Sequence, residues 1–386
     1  MSQLNVQNLS NENEDGAPEI ANISDFSATS YMCPPKGTTA QRPSSPNPGD
    51  IRFNTDTASL EYYRGNTIGW TQIEMTSPDL GGGTGSNAGV GARGIFSGGY
   101  LSGSNDQTGI DYITISTLGN SQDFGDMSSA RRGLGGAGSR VRGIFAGGDG
   151  SPSNPSNRMG HITISSTGNE TDFGDLTVGR EGNRCLSNST RHINVAGYAA
   201  PANSDVIDYI SIQGLGNAVD FGDTTQTRSG SGCFASSTRG IIAVGENAGG
   251  NNNIDFITIA TTGNAQDFGD NNNGYVTSPS SGGSNATRGF IIGGFVSPAR
   301  VNFISYLTTA TKGNAADFGD LTQARSVAAA VSSSTRVVNG GGAHPTPSVN
   351  TMDYWEIPTT GNAVDFGDLS YARFSHGSTS NAHGGL

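Results

Sequence analysis

The chain has 386 residues, 59 of them Gly, with 21 Lys/Arg against 33 Asp/Glu for a net charge of −12. Such an acidic chain lacks the basic face that a phosphate backbone demands, which excludes nucleic acid as a partner. No apolar run approaches the ~18 residues that span a bilayer, and no basic-then-apolar leader opens the sequence, so no membrane insertion is expected and the product is made in the cytoplasm.

Residues 1–33 form a first segment, in which Leu4, Val6 and Leu9 alternate with polar residues as a lone strand would. Residues 34–80 form a second, a Pro/Ser/Thr linker over 34–48 followed by three predicted short strands with turns at 55–58 and 64–69. A meander this small cannot bury enough surface to stand alone, so it is expected to pack on copies of itself or on a partner. Gln41-Arg42-Pro43, the run from Gly49 to Thr57, Leu60-Glu61-Tyr62-Tyr63, Gly65-Asn66 and Trp70 together resemble a module of tailed-bacteriophage fibre and virion structural proteins. The opening Met1-Ser2, Leu4 and Val6 are similar to the virion-attachment starts of such proteins. This resemblance covers about 75 residues. It implies a virion location, attachment to other virion proteins through the N-terminal segment, an often trimeric anchor presenting a distal domain, and no catalytic residue.

From residue 81 onward one octapeptide, Gly-Asn-x-x-Asp-Phe-Gly-Asp, recurs six times, with its Phe at 124, 173, 221, 268, 318 and 366. Steps of 47 to 50 residues with β-type sequence in each unit predict a propeller. In the first unit an apolar strand over 93–99 ends in the pair Gly98-Gly99, and a β-branched and aromatic strand runs over 110–117. Gly119-Asn120 predicts a hairpin turn, since both residues tolerate positive φ. A strand carrying Asp123 to Asp126 follows, and a Gly/Ser/Ala-rich strand near 133–139 leads to the next unit. Four short strands per unit make one blade, so the expected fold is all-β, a six-bladed propeller over 81–386. Gly98-Gly99, Tyr112, Phe124 and Arg131 resemble the glycine pair, third-strand aromatic, fourth-strand aromatic and following Arg of kelch repeats, with Phe where Trp is usual and weaker glycine pairs in the third and fourth units. The ring must close: the segment 373–380 is preferred over 81–86 as the completing inner strand.

The motif carboxylates are Asp123, Asp126, Asp172, Asp175, Asp220, Asp223, Asp267, Asp270, Asp317, Asp320, Asp365 and Asp368, flanking Phe124, Phe173, Phe221, Phe268, Phe318 and Phe366. Twelve carboxylates invite a calcium reading, but residues repeated in every unit serve the unit's own fold. Arg131, Arg180, Arg228, Arg325 and Arg373 follow the second Asp by five residues, with Tyr275 at that place in the fourth unit. Arg93, Arg142, Arg191, Arg239, Arg288 and Arg336 precede the apolar strands. Interblade Asp–Arg pairs are therefore expected of both sets, with no metal and no cofactor. The motif is also similar to the Asp-box of sialidase propellers, which is structural.

Cys33, Cys185 and Cys233 cannot form a disulfide framework, and the last two read as small buried residues where Gly136 and Ala330 stand in other units. His161, His192, His344, His376 and His383 form no HxH or HExxH pair, and no Gly-x-Ser-x-Gly elbow is present. A pair of glycosidase carboxylates is the one catalytic option left open; the chain otherwise reads as a non-enzyme. The stretches that fail to repeat lie between glycine pair and third strand, at 100–109, 149–160, 198–205, 246–253, 295–301 and 343–352. They carry the binding candidates Tyr100, Arg158, Tyr198, Phe295, Arg300 and His344. Variable loops on a rigid scaffold are where binding sits, and a host-surface glycan or protein fits their Asn- and Tyr-bearing composition. The readings that follow are a virion adhesion protein, a virion protein that binds only other virion proteins, and a propeller hydrolase acting on host polysaccharide.

Overall fold

The computed structural model describes residues 34–56, 59–72, 92–101, 103, 105–150, 154–247, 251–273, 276–277, 282–343 and 348–386. These residues are all-β apart from one 3-10 turn, Thr39–Gln41. They fall into two compact units, 34–72 and 92–386. The strand at 1–11, the alternative closing segment 81–86, Cys33, Tyr275 and His344 lie outside the described residues.

In the small unit the three predicted strands are Ile51–Asn54, Ser59–Tyr63 and Trp70–Gln72, paired as an antiparallel meander. The expected linker is built in as well. Lys36–Gly37 pairs in parallel with Phe53 and Asn54. Arg42 donates from Nη2 and Nε to Glu61 at 2.6 and 3.2 Å. Asn54 also donates to Glu61 (3.1 Å), and Arg52 reaches the Thr38 carbonyl (3.0 Å). The polar side chains Arg52, Asn54 and Glu61 are thus buried, together with Tyr63. The bonds from Arg42 hold the Glu61 carboxyl below the usual carboxylate range. Strand alternation then turns Ile51, Phe53, Leu60 and Tyr62 together onto the other face, where Ile51 is 53% exposed.

The large unit consists of six four-stranded antiparallel sheets. Five take their strands in chain order. The first is completed from the far end, as Gly377–Ser380 pairs with Arg93–Ser97 through Gly377↔Ser97 and Ser380↔Gly94. The expected closing strand is therefore the one observed. The inner strands of the six sheets are Gly377–Ser380, Gly135–Gly138, Arg184–Ser187, Gly232–Ala235, Gly283–Ser284 and Ala329–Ser332, each beside the next, with the last beside the first.

Close approach at this centre accounts for the small residues. Ser187 donates to the Gly138 carbonyl (2.6 Å) and accepts from its N–H (3.0 Å), and Ser380 donates to the Ser332 carbonyl (2.7 Å). A Cβ on Gly136 would sit 2.6 Å from the Ser378 carbonyl oxygen. Farther out, apolar clusters fill the space between neighbouring sheets. One joins Ile95, Ile110, Phe124, Met127 and Leu134 to Phe145, Ile162 and Ile164.

Two stretches expected as loops are strand instead. Arg191–Ala199 pairs with Ala202–Ser211, and Arg288–Val296 with Ala299–Thr308, so 198–205 and 295–301 belong to long hairpins that extend past the sheet. Their continued register, Tyr198↔Asn203 and Phe295↔Arg300, satisfies backbone groups that a loop would leave to solvent.

Candidate functional site

The repeated residues are occupied in joining sheets. Gly119-Asn120 is not a hairpin turn: the Gly119 N–H donates to the Phe366 carbonyl (3.0 Å), and the Asn120 side chain accepts the Asp368 N–H (3.0 Å). The same clasp recurs from Gly168-Asn169 to Phe124 and Asp126, and from Gly216-Asn217 to Phe173 and Asp175. It continues from Gly263-Asn264 to Phe221 and Asp223, from Gly313-Asn314 to Phe268 and Asp270, and from Gly361-Asn362 to Phe318 and Asp320. Each octapeptide therefore grips the outer strand of the preceding sheet with its first half and is gripped through its second. The motif's second Gly has to be Gly: Gly125 has φ +147°, and a Cβ there would lie 2.5 Å from the Gly168 oxygen.

The expected role of the motif carboxylates is corrected. None of the twelve forms an ion pair among the described residues. Asp123, Asp172, Asp220, Asp267, Asp317 and Asp365 are exposed on the outer strands, where charge opposes edge-to-edge pairing with other sheets. The arginines pair instead with a carboxylate of the next sheet's third strand: Arg180 with Asp208 (2.8 Å), Arg228 with Asp255 (2.6 Å), Arg325 with Asp353 (2.7 Å) and Arg373 with Asp111 (3.0 Å). In the second sheet Gly160 takes the Asp position, and Glu170 fills the space to meet Arg131 at 2.8 Å. All five guanidiniums are buried. Ser128, Thr177, Thr225, Thr322 or Ser370 donates a hydroxyl to the same carboxylate, so each pair is also hydrogen-bonded.

The fourth unit departs from this pattern. Val276, not Tyr275, occupies the Arg place, since its carbonyl accepts the Gly245 N–H as the Arg131 carbonyl accepts that of Gly99. Ser305 stands where the other sheets place the facing acid. Cation and anion are lost together, as the cost of leaving one charge buried alone requires.

The second arginine set binds backbone, not Asp. Arg93 donates to the Ile164 carbonyl (3.0 Å), Arg191 to Ile259 (2.8 Å), Arg288 to Ile357 (2.8 Å) and Arg336 to Ile115 (3.0 Å). Arg142 and Arg239 do the same to Ile212 (2.6 Å) and Ala310 (2.7 Å). Five of their guanidiniums lie over the third-strand aromatics, at 4.6 Å for Arg93 on Tyr112 and 4.4 Å for Arg336 on Tyr354, while Arg142, whose sheet has His161 there, lies over Phe173 (5.9 Å). Tyr112 packs edge-on against Phe124 in turn.

At one end of the inner strands a depression of about 440 Å³ opens, lined by Arg132, Glu181, Arg184, Tyr198, Asn203, Ser229 and Glu246 around Gly133, Gly182, Gly230, Val327 and Ser375. The last five share positive φ and a hydrogen-bonded circuit: Gly230 N–H to Gly182 O, Gly182 to Gly133 and Gly133 to Ser375 (2.7 Å each), then Ser375 to Val327 (2.8 Å). The non-repeating stretches begin beside this rim, as the bridges Arg132↔Asp149, Glu181↔Tyr198 and Ser229↔Glu246 place them.

Of the sequence candidates among the described residues, only Tyr198 lines the depression. Tyr100 lies near it, stacked under Arg132 (5.1 Å), which is itself paired with Asp149 (2.5 Å). Arg158 begins a third strand, and its carbonyl accepts a bond from Arg131. Phe295 and Arg300 face each other on the other long hairpin, with Arg300 donating to Ser326 (3.1 Å). The candidates are therefore spread over several sheets and do not converge on one point.

Sequence reasoning missed Arg132, Glu181, Arg184 and Glu246. The signal was present: each is a charged residue at a position where other units place something else. Burial and the neighbouring Asp149 and Asp106 push the Glu181 carboxyl above the usual range.

Behind the depression the inner strands enclose a narrow channel lined by Cys185, Cys233, Ser187, Ser284, Ser332 and Ser380, with His383 at its far end. Burial pushes the Cys233 thiol up to about 12 and the His383 imidazole down to about 4, so the thiol stays protonated and the imidazole neutral near pH 7. Among the described residues no group of three or more His, Cys, Asp and Glu side chains is gathered as metal ligands, and no helix is long and apolar enough to cross a membrane. No protein-family model matches the chain, and no curated protein compared with it is significantly similar.

Proposed function

We propose that this chain is a bacteriophage virion structural protein, a tail-fibre or host-surface adhesion protein that presents a six-bladed, kelch-like β-propeller and performs no catalysis. The supporting observation is a division of labour. The residues that repeat are consumed in clasps, buried ion pairs and aromatic stacks between sheets. The stretches that do not repeat carry the half-exposed aromatic and charged side chains and begin beside an open polar depression. The cyclic succession of six four-stranded sheets with a shared closing sheet supports the propeller reading.

The small unit is the anchor. Its likeness to virion modules motivates attachment to other virion proteins, and the apolar face of Ile51, Phe53, Leu60 and Tyr62 supports assembly as a homotrimer or on a partner. Mass spectrometry of purified particles tests the location, and their adsorption to host cells in competition with the soluble chain tests the adhesion. Presence in particles with dose-dependent competition is expected. Presence without competition would favour a protein that contacts only other virion proteins, and release of reducing sugar from host envelope would favour a hydrolase.

A further inference from the structure

Seven arginines of the described residues are buried, and six of them face a carboxylate: Arg52, Arg131, Arg180, Arg228, Arg325 and Arg373. Arg184 is the exception. It is 4% exposed and forms no ion pair among the described residues; its one side-chain hydrogen bond runs from Nη1 to the adjacent Asn183 carbonyl (3.2 Å), and its Nε has no partner, as is also true of Arg131, Arg180, Arg325 and Arg373. A buried guanidinium without an anion is costly, and the sheets do not need one here. Arg184 opens its inner strand at the place held by Gly135, Gly232, Ala329 and Gly377 in other sheets. It also lines the depression at the centre of the loop-bearing end.

We infer that Arg184 is the base of a binding site for a carboxylate carried on a sugar, such as a uronic acid residue of a host-surface glycan. The inference rests on the adhesion reading for its choice of ligand. A planar guanidinium fits a planar carboxylate in two parallel hydrogen bonds. The remaining lining suits hydroxyl groups and a pyranose ring: Tyr198, which is 36% exposed, together with Asn203, Ser229, Glu181 and Glu246. Arg132 also stands on the rim, but Asp106 and Asp149 take up its charge, so the two glutamates disfavour dianions and polyanions and leave room for a single charge set deep among hydroxyls. The depression, at about 440 Å³, lies within the ~300–1,000 Å³ range of small-molecule sites.

The test is titration of the full chain with methyl β-D-glucuronide, with methyl β-D-glucoside as the neutral control and inorganic phosphate as a bare anion, followed by perturbation of Tyr198 resonances. The expected result is saturable binding of the glucuronide at least tenfold tighter than of the glucoside, lost in R184G and partly kept in R184K. The glycine is the residue that equivalent strands already use, and the melting temperature of R184G verifies folding. Equal binding of both sugars, or binding unchanged in R184G, would overturn the assignment. Phosphate giving the same saturable signal while the glucuronide adds nothing would overturn the sugar-acid class. Host-cell adhesion by a chain that binds no sugar acid refutes this site alone, whereas sugar-acid binding without adhesion supports the site and refutes the adhesion reading.

Discussion

At the residue scale the buried ion pairs carry the sharpest consequences. Removing one partner strands the other in a dry environment, so Arg180→Leu is expected to cost about 3–5 kcal/mol. The chain contains its own remedy, since Val276 and Ser305 replace such a pair at the fourth-to-fifth junction. The double variant Arg180→Val with Asp208→Ser is therefore expected to recover at least ~2 kcal/mol relative to Arg180→Val alone. Urea unfolding of the four members of that cycle measures it, and a double variant less stable than both singles would contradict the account.

The buried imidazoles make a second prediction. Burial pushes His192 and His383 down to about 4 from an ordinary value near 6.5. The unfolded chain then binds more protons than the folded one between those values, so stability is full above about pH 6.5 and falls as pH drops toward 4. Each site contributes up to about 3 kcal/mol of that loss. Unfolding midpoints at pH 7.5, 5.5 and 4.5 should fall in that order, and His383→Gln should flatten the slope.

At the scale of elements, strain and close approach single out a few positions. Val327 holds φ +48° where Gly133, Gly182 and Gly230 take the same role, and it is only half-buried. Relief of left-handed strain in a β-branched residue should outweigh the flexibility of glycine, so Val327→Gly is expected to stabilise by about 0.5–1 kcal/mol. Val244→Gly should not, because Val244 is fully buried in a core cluster and its packing would be lost. Gly125→Ala meets the Gly168 carbonyl at 2.5 Å and should destabilise by about 2 kcal/mol or more. Thermal melts of the three variants distinguish these signs.

Strand content, the buried Phe of each motif and the closing strand were legible, because alternation, a period near 48 and one more inner-strand sequence after the last motif are local signals. The partners of the repeated polar residues were not. Asp208 stands 28 residues beyond Arg180 on the next sheet's third strand, whereas the motif Asp lies only five residues away in sequence; chain proximity pointed to the wrong carboxylate. The joint absence of Arg at 276 and Asp at 305 was the clue available. The hairpins at 198–205 and 295–301 carry loop composition, but their backbone groups pair in register beyond the sheet.

At the scale of the whole large unit, the outer strands of the six sheets are edges, and those carry exposed Asp. Closure by 377–380 links the two ends of the large unit, so deleting 377–386 should expose the Arg93–Ser97 edge and produce aggregation in light scattering instead of a small loss of stability. The small unit buries Arg52, Asn54 and Glu61 and leaves Ile51, Phe53, Leu60 and Tyr62 partly or fully exposed on one face, which fits a module completed by others. Sedimentation of the intact chain at micromolar concentration should give a trimer, and a monomer would contradict that assembly. In the proposed adhesin the repeats build and the non-repeating stretches bind. Host-cell binding of the labelled full chain, measured beside a variant in which the six non-repeating stretches are replaced by short Gly-Ser turns, tests that division. Saturable binding by the first and its loss in a folded second are expected; undiminished binding by the variant would overturn it.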